Sequence, residues 1–231
     1  MASPWLKDIP KAKEILDEIL AKPEWKNLEK RIKSGQLSVS TAFVRLESQC
    51  YKRYLSYEKK VRKKWIHKNA GKVSDSLSQS RASRGGSTTE RILALLLTYS
   101  GIPVEKGVRY PRRKSGESLD MAIPSKRQLR ARPGKTVVIS VKRRVRERWR
   151  EVVGEAYLMR KVHNYKGKIL FVTMEADLSA YAMRSMKKLG VRLYTPPKHA
   201  KKYKRYGVRS AAKLVGDLNR WMKKKEIVSE P

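Results

Sequence analysis

The stretch Thr136–Glu155, TVVISVKRRVRERWREVVGE, decides how the rest of the chain is read. Val137, Val138, Ile139 and Val141 form a short β-branched run, the pattern of a buried strand. The pattern changes at Lys142. From there Val145, Trp149, Val152, Val153 and Ala156 recur at three- and four-residue steps, one stripe of a helix. A lysine is therefore expected where a core strand gives way to a basic helix. Upstream, Asp120 stands inside a second apolar run, Leu119 to Ile123 (LDMAI). Downstream, Glu155 is expected three to four turns along the helix.

A carboxylate inside an apolar run is the most telling of these residues, because burying it without a partner is expensive. Singly, Asp120 reads as a turn acid, Lys142 as a solvated strand end and Glu155 as an exposed helix residue. Gathered at the end of one sheet, two acids and a lysine suit metal-assisted phosphodiester hydrolysis. The acids hold a divalent cation, and the lysine steadies a water or developing charge.

These residues and their spacing resemble the PD-(D/E)xK nucleases, in the restriction-endonuclease branch that includes EcoRII, PspGI and NgoMIV. In that branch a small residue replaces the middle acid, and a glutamate on the next helix takes over its role. The resemblance implies that Ser140 stands at the position of the missing acid and that Glu155 replaces it. It implies Asp120 and Glu155 as ligands of Mg²⁺, and Lys142 as the group that orients water. The box Arg146-Glu147-Arg148-Trp149 resembles the CC/GG-reading segment of the same enzymes. Its residue types suit G·C pairs, since arginine donates twice to guanine and glutamate accepts from cytosine N4. A solvated helix start with a local ion pair is the plainer reading of the same box. The implied protein is a homodimeric, magnesium-dependent type II restriction endonuclease acting on double-stranded DNA. Two rivals remain: a non-catalytic basic nucleic-acid-binding protein, and a junction-resolving or repair nuclease of the same fold.

Composition points the same way. Of 231 residues, 56 are Lys or Arg against 21 Asp or Glu, a net charge of +35, which calls for a polyanionic partner. The longest apolar runs, Ile92–Leu97 and Ile169–Val172, are too short to span a bilayer, and no signal peptide opens the chain, so a cytoplasmic protein is expected. A lone Cys50 allows no internal disulfide, and His67, His163 and His199 are too scattered for a zinc site. Abundant Lys and Arg with little Asn, Gln and Cys matches thermophile composition.

The expected organisation is an N-terminal helical region, residues 1–75, and an endonuclease core, residues 76–231. In the first, helices begin at Pro10, after Pro23 and at Ser40 or Thr41. Gly71–Thr89, rich in Ser, Gly and Arg, reads as a loop. It leads into a helix through a capping box, Ser87 to Glu90. The resemblance instead brings Glu90 near the active site and Arg81 and Arg84 to the DNA. A basic hairpin-like stretch follows, then the Asp120 strand. A second basic loop is expected over Ser125–Lys135, strands over Lys168–Met174 and Val191–Thr195, a helix over Leu178–Leu189, and an amphipathic helix from Val208 to Lys225. The expected fold class is α/β: a PD-(D/E)xK core, a mixed sheet flanked by helices, with an N-terminal helical region.

Overall fold

The computed structural model describes residues 3–111, 116–145, 148–174 and 177–224. Six strands form one mixed sheet in the order β1 (Glu105–Pro111), β2 (Gly116–Ile123), β3 (Val137–Lys142), β4 (Lys168–Thr173), β5 (Val191–Thr195) and β6 (Arg209–Ser210). The first three pair antiparallel and the last four parallel. Parallel neighbours need crossovers. These are supplied by α6 (Trp149–Tyr157) with a π-helical turn (Leu158–Val162), by α7 (Ala180–Lys188) and by α8 (Pro197–Lys202). The last described element is α9 (Leu214–Lys224), and among the described residues no helix is long and apolar enough to cross a membrane.

The N-terminal helices are α1 (Ala12–Leu20), α2 (Leu28–Lys33) and α3 (Val39–Trp65). Ser38 caps α3, its hydroxyl accepting from Thr41 N at 3.2 Å. Strand alternation sorts the core into two layers. Val137, Ile139 and Val141 of β3 face a cluster shared with α1 to α4 and α9. Val138 faces the other cluster, with Val152 and Ala156 of α6 and Met183 and Met186 of α7. By the same alternation Ser140 and Lys142 point towards α6.

Several expectations change. Gly71–Thr89 is not a loop: it lies in α4, one helix from Ala70 to Tyr99, capped by Asn69, whose side chain accepts from Lys72 N at 3.0 Å. Ser87 to Glu90 is therefore mid-helix and caps nothing. Local propensity disfavours this helix, since Gly85 and Gly86 cost about 1 kcal/mol each relative to alanine. Tertiary burial outweighs that cost. Ile92, Leu93, Leu96 and Leu97 are fully buried, each contributing about 1.5–3 kcal/mol. The buried stripe of the polar half combines Val73 and Leu77 with Ser80 and Thr88. Ser80 accepts from the Tyr54 hydroxyl of α3 at 3.1 Å. Hydroxyls in place of methyls hide such a stripe from hydropathy.

The basic segment Ser125–Lys135 also holds a helix, α5 (Lys126–Ala131), capped by Ser125 and anchored by buried Leu129. The helix after β3 begins at Trp149, not at Lys142. Arg143 is drawn to Glu47 and Tyr51 of α3, whereas Val145 is buried in the layer around α6. Those opposed anchors keep Arg143 to Val145 out of a helix. Glu155 accordingly sits in the second turn of α6. The C-terminal helix starts at Leu214, because Arg209–Ser210 pairs with β5. The boundary at residue 75 falls inside α4, and N-terminal residues share a cluster with Met121, Ile139 and Leu170 of the sheet. The two parts share both a helix and a core.

Candidate active site

The ladder between β2 and β3 ends at Met121 and Ile139. Beyond it the Asp120 carboxylate takes over: Oδ2 accepts from Val141 N at 2.6 Å and from Lys142 Nζ at 3.2 Å. Ser140 Oγ donates to the same oxygen at 3.5 Å. An acid within an apolar run thus replaces a backbone acceptor at the end of a strand pair, and the ammonium lies at its side. Both side chains are mostly shielded, 17% and 11% exposed, so their attraction is little screened.

Glu155 approaches from α6 across the face that carries Ser140. Burial pushes its carboxyl up to about 7; Lys142 and a hydrogen bond with Ser140 pull it down, while Asp120 and Glu151 add to the rise. Glu90, from the C-terminal half of α4, is also raised, first by burial and then by Asp120, with Lys106, Lys142 and Arg91 opposing. Asp120, Ser140, Lys142, Glu155 and Glu90 therefore gather at one place. Perturbed carboxyls of this kind mark functional sites.

The sequence did not single out Lys106. On β1 its ammonium is pulled down by burial and by Arg91 and held up by Glu90 and Asp120. Only the pairing of β1 with β2 brings it to the acids, and nothing in its local sequence marks it.

Asp120 and Glu155 supply hard oxygen donors, as Mg²⁺ requires, and two carboxylates with substrate phosphate are its usual protein setting. Among the described residues no three His, Cys, Asp or Glu side chains converge into a ready-made metal cage. The pair fits a cation shared with a phosphate, and positive charge there would relieve the burial of Glu155.

Arg148 is the N-cap of α6 and pairs with Glu151 at 3.1 Å. That hydrogen bond holds it charged, and Asp120 and Glu155 add to the effect, which puts it within electrostatic reach of both acids. Arg146 and Glu147 lie outside the described residues, as do Arg112, Arg113 and Lys114 of the hairpin. A cleft of about 260 Å³ runs between α4 and the chain after β3, lined by Ser78, Arg81, Ala82, Gly86, Arg143, Arg144 and Arg148. Arg81 reaches this cleft while its Nε donates to buried Glu58 at 2.8 Å. Arg84 does not reach it. Its guanidinium donates to the carbonyls of Leu6, Ile9 and Pro10 at 3.2–3.3 Å and ties α4 to the N-terminus.

Comparisons with known proteins agree with this geometry. The restriction endonuclease PspGI, solved as a complex with substrate DNA, superposes with a TM-score of 0.84 at 28% identity, covering 96% of each chain. Metal-depleted Ecl18kI, solved with uncleaved, modified DNA, shares the fold with a TM-score of 0.77 at 20% identity, over 97% of this chain and 83% of the other. The type II restriction enzyme SsoII of Shigella sonnei is 31% identical over 114 residues, 44% of this chain, and the match spans 37% of that relative's length. The EcoRII C terminal family matches residues 44–215, from the second turn of α3 to the start of α9. With most of its length so matched, α3 to β6 and all five gathered residues included, the chain belongs to the EcoRII C-terminal family.

Proposed function

We propose that the protein is a type II restriction endonuclease that cuts double-stranded DNA site-specifically with Mg²⁺, acts as a homodimer and reads a target with CC/GG steps. The observation that carries the reading is the contact of Asp120 with Lys142 at the end of β3, with Glu155 alongside. Membership of the family and the likeness to PspGI, which was solved on substrate DNA, support it.

Asp120 and Glu155 would hold the metal, which when bound polarises the phosphate and lowers the pKa of a bound water. The chain's own residues do the rest. Asp120, fixed by Val141 N, keeps one oxygen in place at the strand end. The Lys142 ammonium, on the same oxygen, is positioned to orient water and to stabilise charge developing on the phosphate. The Ser140 hydroxyl lies within reach of both acids and has one proton to donate to either. Glu90 contributes a further carboxylate behind Asp120. Arg146, Glu147 and Arg148 would enter the major groove, each bidentate arginine–guanine contact discriminating by about 1–3 kcal/mol. Arg81, on the cleft beside Arg148, would contact the backbone.

The test is digestion of phage DNA by the purified protein with Mg²⁺, followed by sequencing of the fragment ends. Discrete fragments whose ends share a site containing GG are expected. Undegraded DNA, or fragments of random sequence, would remove the reading.

A further inference from the structure

A second basic cleft lies away from the acids. It measures about 980 Å³ and runs between the edge strand β1 and α5, lined by Arg109, Lys126, Arg127 and Arg130 with Glu105 and Gly107. Among the described residues, four cations from two elements line it with one acid. That acid is committed to the fold, since Glu105 Oε2 accepts from Lys126 N at 3.1 Å at the start of α5. Arg109 and Arg127 are exposed, and Gly107 at the floor adds no side chain to the space.

Arg130 adds an observation independent of the charge count. Its Nε is shut off from solvent and has no hydrogen-bond partner among the described residues. A buried donor without an acceptor costs about 1–3 kcal/mol; a shift of this half-buried side chain that brings the nitrogen to an acceptor in the cleft would remove that penalty. The ligand is anionic, because the wall is cationic, and extended, because the cleft is open and shallow rather than enclosed.

Strand alternation relates this cleft to the acid centre. Lys106 of β1 acts on Glu90 and Asp120, whereas its neighbours Glu105, Gly107 and Arg109 line the cleft. The two places therefore lie on the two sides of a single edge strand.

We propose that the β1–α5 cleft binds the phosphodiester backbone of DNA outside the stretch held at the acids, through Arg109, Lys126, Arg127 and Arg130. This rests on the reading of the protein as a DNA-cutting enzyme and adds a contact that the reading does not require. The cleft carries no base-reading geometry; its cations neutralise phosphates and extend the footprint. Contacts of this kind are lost with salt at a log–log slope of about 0.9 per phosphate.

The experiment measures binding by fluorescence anisotropy with Ca²⁺ in place of Mg²⁺. Two duplexes carry the same target, one of about one helical turn and one of about four. The variants are Arg127→Gln with Arg130→Gln, and Glu105→Gln, which keeps the acceptor for Lys126 N. Wild type should bind the long duplex more tightly than the short one. At about 50 mM salt the double variant should bind the long duplex about tenfold or more weaker than wild type, and raising salt to about 200 mM should cost it about tenfold less than it costs wild type, a slope smaller by about two. It should match wild type on the short duplex and in melting temperature. Glu105→Gln should tighten the long duplex severalfold. Equal affinity of wild type for both lengths, or an unchanged slope in the double variant, would overturn the inference while leaving the enzyme reading intact. Loss of binding to both duplexes by the double variant would place these arginines at the target and overturn it too. Failure of wild type to bind either duplex would remove the enzyme reading itself.

Discussion

Two groups of shielded acids in this chain are held in opposite ways. Between α3 and α4, Glu58 is only 4% exposed and faces the fork of Arg81 on both its oxygens; Glu47, also buried, meets Arg143. Each of these carboxylates has an arginine of its own. At the end of β3, Asp120, Glu155 and Glu90 share Lys142, with Lys106 beside them, and the Glu155 carboxyl rises to about 7. A carboxylate with its own arginine ties elements together, α4 to α3 through Glu58 and the chain after β3 to α3 through Glu47; acids short of positive charge suit a cation and a phosphate. Glu58 and Glu47 both lie on α3. The others gather around the strand end.

The largest expected effect falls on the lysine that the acids share. Lys142→Ala should slow cleavage by about a hundred- to a thousandfold, the range for removing a preorganised charge from a reacting phosphate. Affinity for DNA in Ca²⁺ should stay near wild type, because it is spread over many phosphate contacts. Glu151→Gln, one turn before Glu155, removes the partner of Arg148 and one charge beside Glu155; it serves as the comparison and should cut far better than Lys142→Ala. A fully active Lys142→Ala would dissolve the distinction between the two groups of acids.

Next comes the paired group. Glu58→Ala leaves Arg81 without its partner and should destabilise the fold by about 3 kcal/mol, a low figure for a buried pair because the arginine is partly exposed. The expected melting temperature is lower by about 5–10 °C, with the cleavage rate at low temperature unaltered. An altered rate at low temperature would make Glu58 part of the site.

The smallest effect sharpens the contrast through pH. A carboxyl whose folded pKa is raised contributes stability that is complete below its ordinary value of 4.5 and is lost as pH climbs through about 7. Glu155→Gln removes that loss. In EDTA the variant should melt with wild type near pH 4.5 and above it at pH 8, by at most about 3 kcal/mol. Mg²⁺ should narrow the difference at pH 8 by stabilising wild type. Identical melting at pH 8 in EDTA would show Glu155 to be already neutralised, like Glu58.

The sequence alone carried the central strand, the acid in the LDMAI run, the lysine at the strand end and the apolar stripe from Trp149 to Ala156. Each is written in residues a few positions apart, through a two-residue strand period or a 3.6-residue helix period. It also carried the alternation that turns Ser140 and Lys142 to one side. Tertiary structure decided the rest. Ser80 and Thr88 sit in the buried stripe of α4 because Tyr54 and a close-packed α3 accept them there, so a polar stretch became a helix. Arg143 and Val145 were pulled to opposite layers, which delayed α6 to Trp149. Arg84 found carbonyls more than 70 residues away, and Lys106 found the acids through a neighbouring strand. Period and propensity are properties of neighbours along the chain. The partner of a charge or a hydroxyl is a property of neighbours in space, settled only once the layers have packed.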